Sequence, residues 1–173
     1  MTAPLRRSLT QPRHLVEAGL APAEKLEALE AVAARYAVSI TPTVAGLIDT
    51  GDPDDPIARQ FVPDAAELAT TPEESADPIG DDAHSPVEGI VHRYPDRVLL
   101  KLVHVCPVYC RFCFRREMVG PTGHGTLSGE ALAAALTYIR DTEAIWEVIL
   151  SGGDPLVASP RRLREVMQAL GEI

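Results

Sequence analysis

Lysine is nearly absent from this chain of 173 residues, which has only Lys25 and Lys101. Positive charge is also in deficit, with 16 Lys and Arg against 25 Asp and Glu and a net charge of −9. That balance excludes a nucleic-acid partner that needs a basic face. No apolar run approaches the roughly 20 residues of a membrane span, so no membrane association is expected. Arg6, Arg7 and Arg13 near the start have no apolar stretch behind them, unlike a secretory signal. Cysteine is scarce too. Its three copies, Cys106, Cys110 and Cys113, suit a reducing cytoplasm better than a disulfide scaffold. The remainder reads as globular, with 46% hydrophobic residues.

All three cysteines lie in Cys106-Pro107-Val108-Tyr109-Cys110-Arg111-Phe112-Cys113, at spacings of three and then two. Cysteines used as small core hydrophobes would be scattered. Three thiolates from one loop can hold three corners of an iron–sulfur cube and leave the fourth iron open, as catalytic metal sites keep a position vacant. The alternative is a structural zinc site completed by His104 or His124. Zinc sites show paired Cys-x2-4-Cys units with a regularly spaced fourth ligand, and no such pattern is present.

The Cys-x3-Cys-x2-Cys spacing, with Phe112 before the last cysteine, resembles the radical S-adenosylmethionine enzymes. Arg93-Tyr94-Pro95-Asp96-Arg97 ahead of it and Ser151-Gly152-Gly153-Asp154 after it narrow the resemblance to the lysine 2,3-aminomutase family, from about residue 50 onward. The resemblance implies a 4Fe–4S cluster on Cys106, Cys110 and Cys113, with S-adenosylmethionine on the open iron. Phe112 would lie beside the adenine. The backbone of Ser151, Gly152 and Gly153 would approach the ligand, and Asp154 would accept hydrogen bonds from its ammonium. It further implies pyridoxal phosphate, its phosphate held by Arg93, Tyr94 and Arg97, an amino acid substrate whose carboxylate meets Arg115, and an external electron donor. Asp154 before Pro155 also reads as a simple helix cap. Phe112 and Phe114 look closer to the branch that makes β-lysine for elongation factor P than to the free-lysine enzymes. A non-catalytic metal-binding module or an inactive fragment remains the reading from another class.

Along the chain, Leu26, Leu29, Ala33 and Tyr36 recur at helical spacing, and Thr41-Pro42 opens a short helix towards Asp49. Residues 63–88 hold eight acidic residues, four prolines and no lysine or arginine, the composition of an extended, solvated connection. Val98–Val103 reads as a buried strand interrupted only by Lys101. Ser128 caps a helix with Leu132, Ala135, Leu136 and Ile139 on one face. Trp146–Leu150 is a second strand, and Ser159-Pro160 opens a helix whose face is Leu163, Val166, Met167 and Leu170. The expected organisation is a helical region over 1–62, an acidic Pro-rich linker over 63–91, and an α/β core over 92–173. Order β-loop-α-β-loop-α implies parallel strands. The resemblance implies a (β/α) partial TIM-type barrel whose chemistry sits at strand C-termini. Two strands cannot close a barrel, so the chain reads as the N-terminal part of a longer protein. Its exposed edges would pair with a second copy, as a homo-oligomer, or with a missing C-terminal half. The family's Schiff-base lysine matches neither Lys25 nor Lys101.

Overall fold

The computed structural model describes residues 7–120 and 125–173, so Arg6 and His124 lie outside the described residues. The chain divides into two compact units, Met1–Ala76 with Pro107–Pro121, and Asp77–Cys106 with Thr122–Ile173. This division differs from the one composition suggests, because the segment after Cys106 belongs with the N-terminal helices.

The first unit is built from short helices, each opened by a turn residue or proline. Pro12 at the first helical position begins α1 (Pro12–Glu17). α2 (Leu26–Arg35) buries Leu29 and Val32, as the periodicity predicts, while Tyr36 is already extended. Thr41 caps α3 (Pro42–Ala45), its hydroxyl accepting from Val44 N, but the helix stops short of Asp49. Asp55 caps α4 (Pro56–Phe61), accepting from Ala58 N at 2.6 Å. Leu9 and Ile40 exchange both backbone hydrogen bonds and share a core with Leu15, Val38 and Ala45.

The second unit is an α/β layer. β1 (Ile90–Tyr94) and β2 (Arg97–Val103) form an antiparallel hairpin, and β3 (Glu147–Gly152) runs parallel to β2, giving the order β1-β2-β3. The sheet therefore begins at Ile90, ahead of the strand expected over Val98–Val103. The Arg93–Arg97 motif is the turn of a hairpin, and the sheet is mixed rather than all parallel. Two helices complete the unit: α5 (Gly129–Asp141), capped by Ser128 at 3.0 Å from Ala131 N, and α6 (Pro160–Gly171), capped by Ser159 at 3.2 Å from Arg162 N. Val98, Leu100 and Leu102 pack with Leu132, Ala135, Ile139 and Val166. Each such buried aliphatic side chain contributes about 1.5–3 kcal/mol. On α6 the core takes Val166, Leu163 and Leu170, while Met167 is left exposed, a correction to the four-residue face expected from spacing.

Candidate functional site

β2 ends at Val103 and leads into the cysteine loop; β3 ends in Ser151-Gly152. Both motifs thus stand at strand C-termini, as expected. The two glycines have a specific neighbour. A Cβ on Gly152 would lie 2.2 Å from Val103 O, and one on Gly153 would lie 2.3 Å from Val105 O. Gly152 also holds a φ of 106°, a region disfavoured for any side-chain-bearing residue. Gly153 N donates to Val103 O at 2.7 Å and Asp154 N to Val105 O at 3.0 Å. The close approach that sequence reasoning assigns to a ligand is taken up by the strand's own backbone, just ahead of Cys106. Asp154 Oδ1 accepts from Leu156 N at 2.9 Å, capping the 3-10 turn Pro155–Val157.

After Cys106 the loop is held within the first unit. Tyr109 N donates to Ser39 O at 3.1 Å, and Ser39 Oγ donates to Pro107 O at 2.8 Å. Arg111 N donates to Gln60 O at 2.7 Å, and Cys113 N closes a turn on Cys110 O at 3.3 Å. The Arg111 side chain is buried. Its Nε and Nη2 grip Glu67 at 3.0 and 2.6 Å, and its Nη1 donates to Ala37 O at 2.8 Å. Arg116 reaches Glu67 Oε2 at 3.1 Å and lies 3.6 Å over the Tyr36 ring. Tyr36 Oη donates to Glu117 Oε1 at 2.9 Å; burial first, then this hydrogen bond, raises the phenol's pKa. Glu67, Tyr36 and Ser39 were not singled out by sequence reasoning. One signal for Glu67 existed, the spacing Asp64-x-x-Glu67 of a capping box, which the structure forms. The acidic stretch is therefore not uniformly solvated, since its Glu67 side chain is only 12% exposed against the loop's arginines.

The three cysteines are free thiols; Cys110 is exposed, and Cys106 and Cys113 are half-buried. Cys106 belongs to one unit, Cys110 and Cys113 to the other. Among the described residues no three His, Cys, Asp or Glu side chains stand together as a metal-holding group. The donor chemistry fits an iron–sulfur cube, with three thiols on eight residues and no disulfide among them. Phe112 is 77% exposed, available to a ligand rather than committed to a core. Arg115 is buried, its guanidinium 4.7 Å over the Phe114 ring.

The residues expected around a phosphate are occupied otherwise. Arg93 bonds Ile79 O and lies 3.7 Å from the buried Asp81, while Tyr94 is exposed. Arg97 makes a two-pronged pair with Asp96 at 2.9 Å, stands 3.3 Å from Glu147 Oε2, and faces the Trp146 indole. The Arg97 guanidinium, then the Trp146 N–H, hold the Asp96 carboxyl far below the usual carboxylate range. Lys101 is buried within β2 and Lys25 sits exposed 3.9 Å from Asp64, so neither offers an amine at a strand's C-terminal end. The arginines expected at the phosphate of pyridoxal phosphate thus have protein partners, and neither lysine is placed to receive that cofactor. His92 bonds Tyr138 Oη through Nδ1 at 2.6 Å.

Residues 95–172 match the family described as a 4Fe–4S single cluster domain, which supports an iron–sulfur cofactor. The chain is 42% identical over 136 residues to the L-lysine 2,3-aminomutase of Clostridium subterminale, covering 79% of this chain and 32% of that protein. It is 40% identical over 151 residues to the enzyme of the same name from Methanococcus maripaludis, covering 87% and 34%. The glutamate 2,3-aminomutase of Clostridioides difficile matches at 33% over 147 residues, covering 85% and 34%. The chain belongs to the lysine 2,3-aminomutase family, and it spans about a third of the length of the curated relatives it matches.

Proposed function

We propose that the chain takes part in a radical S-adenosylmethionine 2,3-aminomutase, moving the α-amino group of lysine or a related amino acid to the β-carbon. The observation that carries this reading is the three-thiol spacing after β2, in a chain whose relatives are named aminomutases. When bound, the cluster and S-adenosylmethionine supply a 5′-deoxyadenosyl radical, and pyridoxal phosphate supports the migrating nitrogen. Cys106, Cys110 and Cys113 would each give one thiolate, and Phe112 would cover the adenine. Asp154, whose Oδ1 already caps a turn, would offer its remaining oxygen to the ammonium of S-adenosylmethionine. Arg115 would bind the substrate carboxylate. Arg93 and Arg97 would receive a phosphate only by exchanging present partners, whereas the exposed Tyr94 would offer its hydroxyl directly; no role follows for Lys25 or Lys101. The fold we propose around this chemistry is a (β/α) partial barrel, of which β2, α5, β3 and α6 form successive units, in a cytoplasmic protein.

The test is anaerobic reconstitution with iron and sulfide, then incubation with S-adenosylmethionine and a strong reductant. Release of 5′-deoxyadenosine, abolished in Cys110→Ala, is the expected result. Uptake of zinc instead, with S-adenosylmethionine left intact, would overturn the reading in favour of a non-catalytic metal-binding module.

A further inference from the structure

A largely covered carboxylate that engages two arginines of the cysteine segment calls for a reason. Glu67 lies outside the match to the 4Fe–4S domain, which begins at residue 95. It is 44 residues from Arg111 in sequence, yet takes two hydrogen bonds from that guanidinium and one from Arg116. Its Oε1 also accepts from Asp64 N at 2.9 Å, which fixes the carboxylate on the 3-10 turn Ala65–Leu68. Arg111 stands between Cys110 and Cys113, and Arg116 follows three residues after Cys113. Arg111 is locked at both ends, its backbone N–H on Gln60 O and its Nη1 on Ala37 O. A bidentate arginine has little freedom, since its planar fork matches a carboxylate in one plane. The turn Cys110–Cys113 is thereby held from its middle residue, while the two thiols themselves remain free.

We propose that Glu67 is a positioning residue that sets the cysteine turn before any cluster arrives, acting through Arg111 and Arg116. The inference rests on the cluster reading for its purpose, but not for its geometry. Without the carboxylate, the buried Arg111 and the half-exposed Arg116 lose the anion they share, and the turn loses its anchor. Groups that support metal ligands in this way change metal affinity by about 10- to 100-fold when removed.

The experiment compares wild type with Glu67→Gln and Glu67→Asp, in the full chain. In cluster-free protein, the alkylation rates of Cys110 and Cys113 are measured by mass spectrometry. During anaerobic reconstitution, the rate of chromophore formation and the electron paramagnetic resonance spectrum of the reduced cluster are followed. Glu67→Gln should alter both alkylation rates several-fold, slow cluster uptake about tenfold and shift the spectrum. Glu67→Asp, which keeps the charge, should recover part of each effect. Equal alkylation rates, uptake and spectra in a folded Glu67→Gln protein would overturn the proposal. If Glu67→Gln does not fold, Arg116→Gln, which removes only the half-exposed link, should still change Cys113 alkylation, and no change there would equally overturn it. Should wild type take up no cluster at all, the cluster reading fails while the alkylation comparison still decides the role of Glu67.

Discussion

The segment entering the cysteine loop and the segment leaving it are held by different forces. Before Cys106, the chain is pinned by backbone: Gly153 and Asp154 donate to Val103 and Val105, and the absence of a Cβ at two glycines permits the approach. After Cys106, it is pinned by charge, through Glu67 with Arg111 and Arg116. The backbone device is insensitive to ionisation but rejects any side chain. The charge device tolerates small changes of volume but fails if either sign is removed. A loop that must accept a cofactor benefits from both, because its flanks are held by groups other than its thiols.

The largest effect should come from breaking the charge device at its centre. Arg111→Met leaves the largely covered Glu67 carboxylate with the half-exposed Arg116 and the Asp64 N–H, and strips a donor from Ala37 O. Removing one partner of a buried pair costs about 3–5 kcal/mol. A urea midpoint close to wild type would show that the exit segment is not held by charge.

Asp154→Asn separates holding from chemistry on the entry side. Asparagine caps a turn as well as aspartate does, so the bond to Leu156 N and the stability should survive. The negative charge offered to the proposed ammonium is lost, and a charge-assisted bond is worth roughly 1.5–3 kcal/mol, about ten- to a hundredfold in affinity. Titration of reconstituted protein with S-adenosylmethionine measures it. Unchanged affinity would leave Asp154 as a cap alone.

Gly153→Ala attacks the backbone device without touching any charge. Its Cβ would meet Val105 O at 2.3 Å and Val105 N at 2.8 Å, and backbone cannot swing aside as a side chain does. Overpacking of this kind costs roughly 1–3 kcal/mol. Calorimetry should show a lowered Tm, with Cys106 alkylated faster in the cluster-free protein. A wild-type Tm would mean that the entry segment has slack the distances do not suggest.

What sequence could reveal here follows the same division. The caps at Thr41, Ser128 and Ser159 and the strands β2 and β3 are local signals, and each is realised or nearly so; the three-thiol spacing is local too and is legible in the sequence itself. β1 was missed because Ile90–Tyr94 is half polar and becomes a strand only by pairing with β2. Glu67 was missed because its partners lie more than 40 residues away, and an acidic, proline-rich neighbourhood looks solvated in composition. Arg93 and Arg97 were legible as a basic motif, but the carboxylates that engage them were not: Asp81 arrives from another segment and Glu147 from another strand. Type and spacing identified the donors; tertiary pairing decided which cations are occupied.

The smallest effect tests whether charge matters equally wherever it appears. The Asp96–Arg97 pair at the hairpin turn has good geometry but is 40% exposed on both sides, unlike the Glu67 pair. Water and salt screen it, so its contribution should be slight and should fall as ionic strength rises. The folded Asp96 carboxyl titrates below its unfolded value of about 3.9. Its contribution is therefore fully present above that value and is lost as pH falls toward the folded pKa. Comparing wild type with Asp96→Asn by urea unfolding should give a small, constant difference from neutrality down to about pH 5, shrinking below about pH 4. A difference as large as that from Arg111→Met, or one that grows in acid, would contradict the ranking of buried over exposed pairs on which the account of the cysteine loop depends.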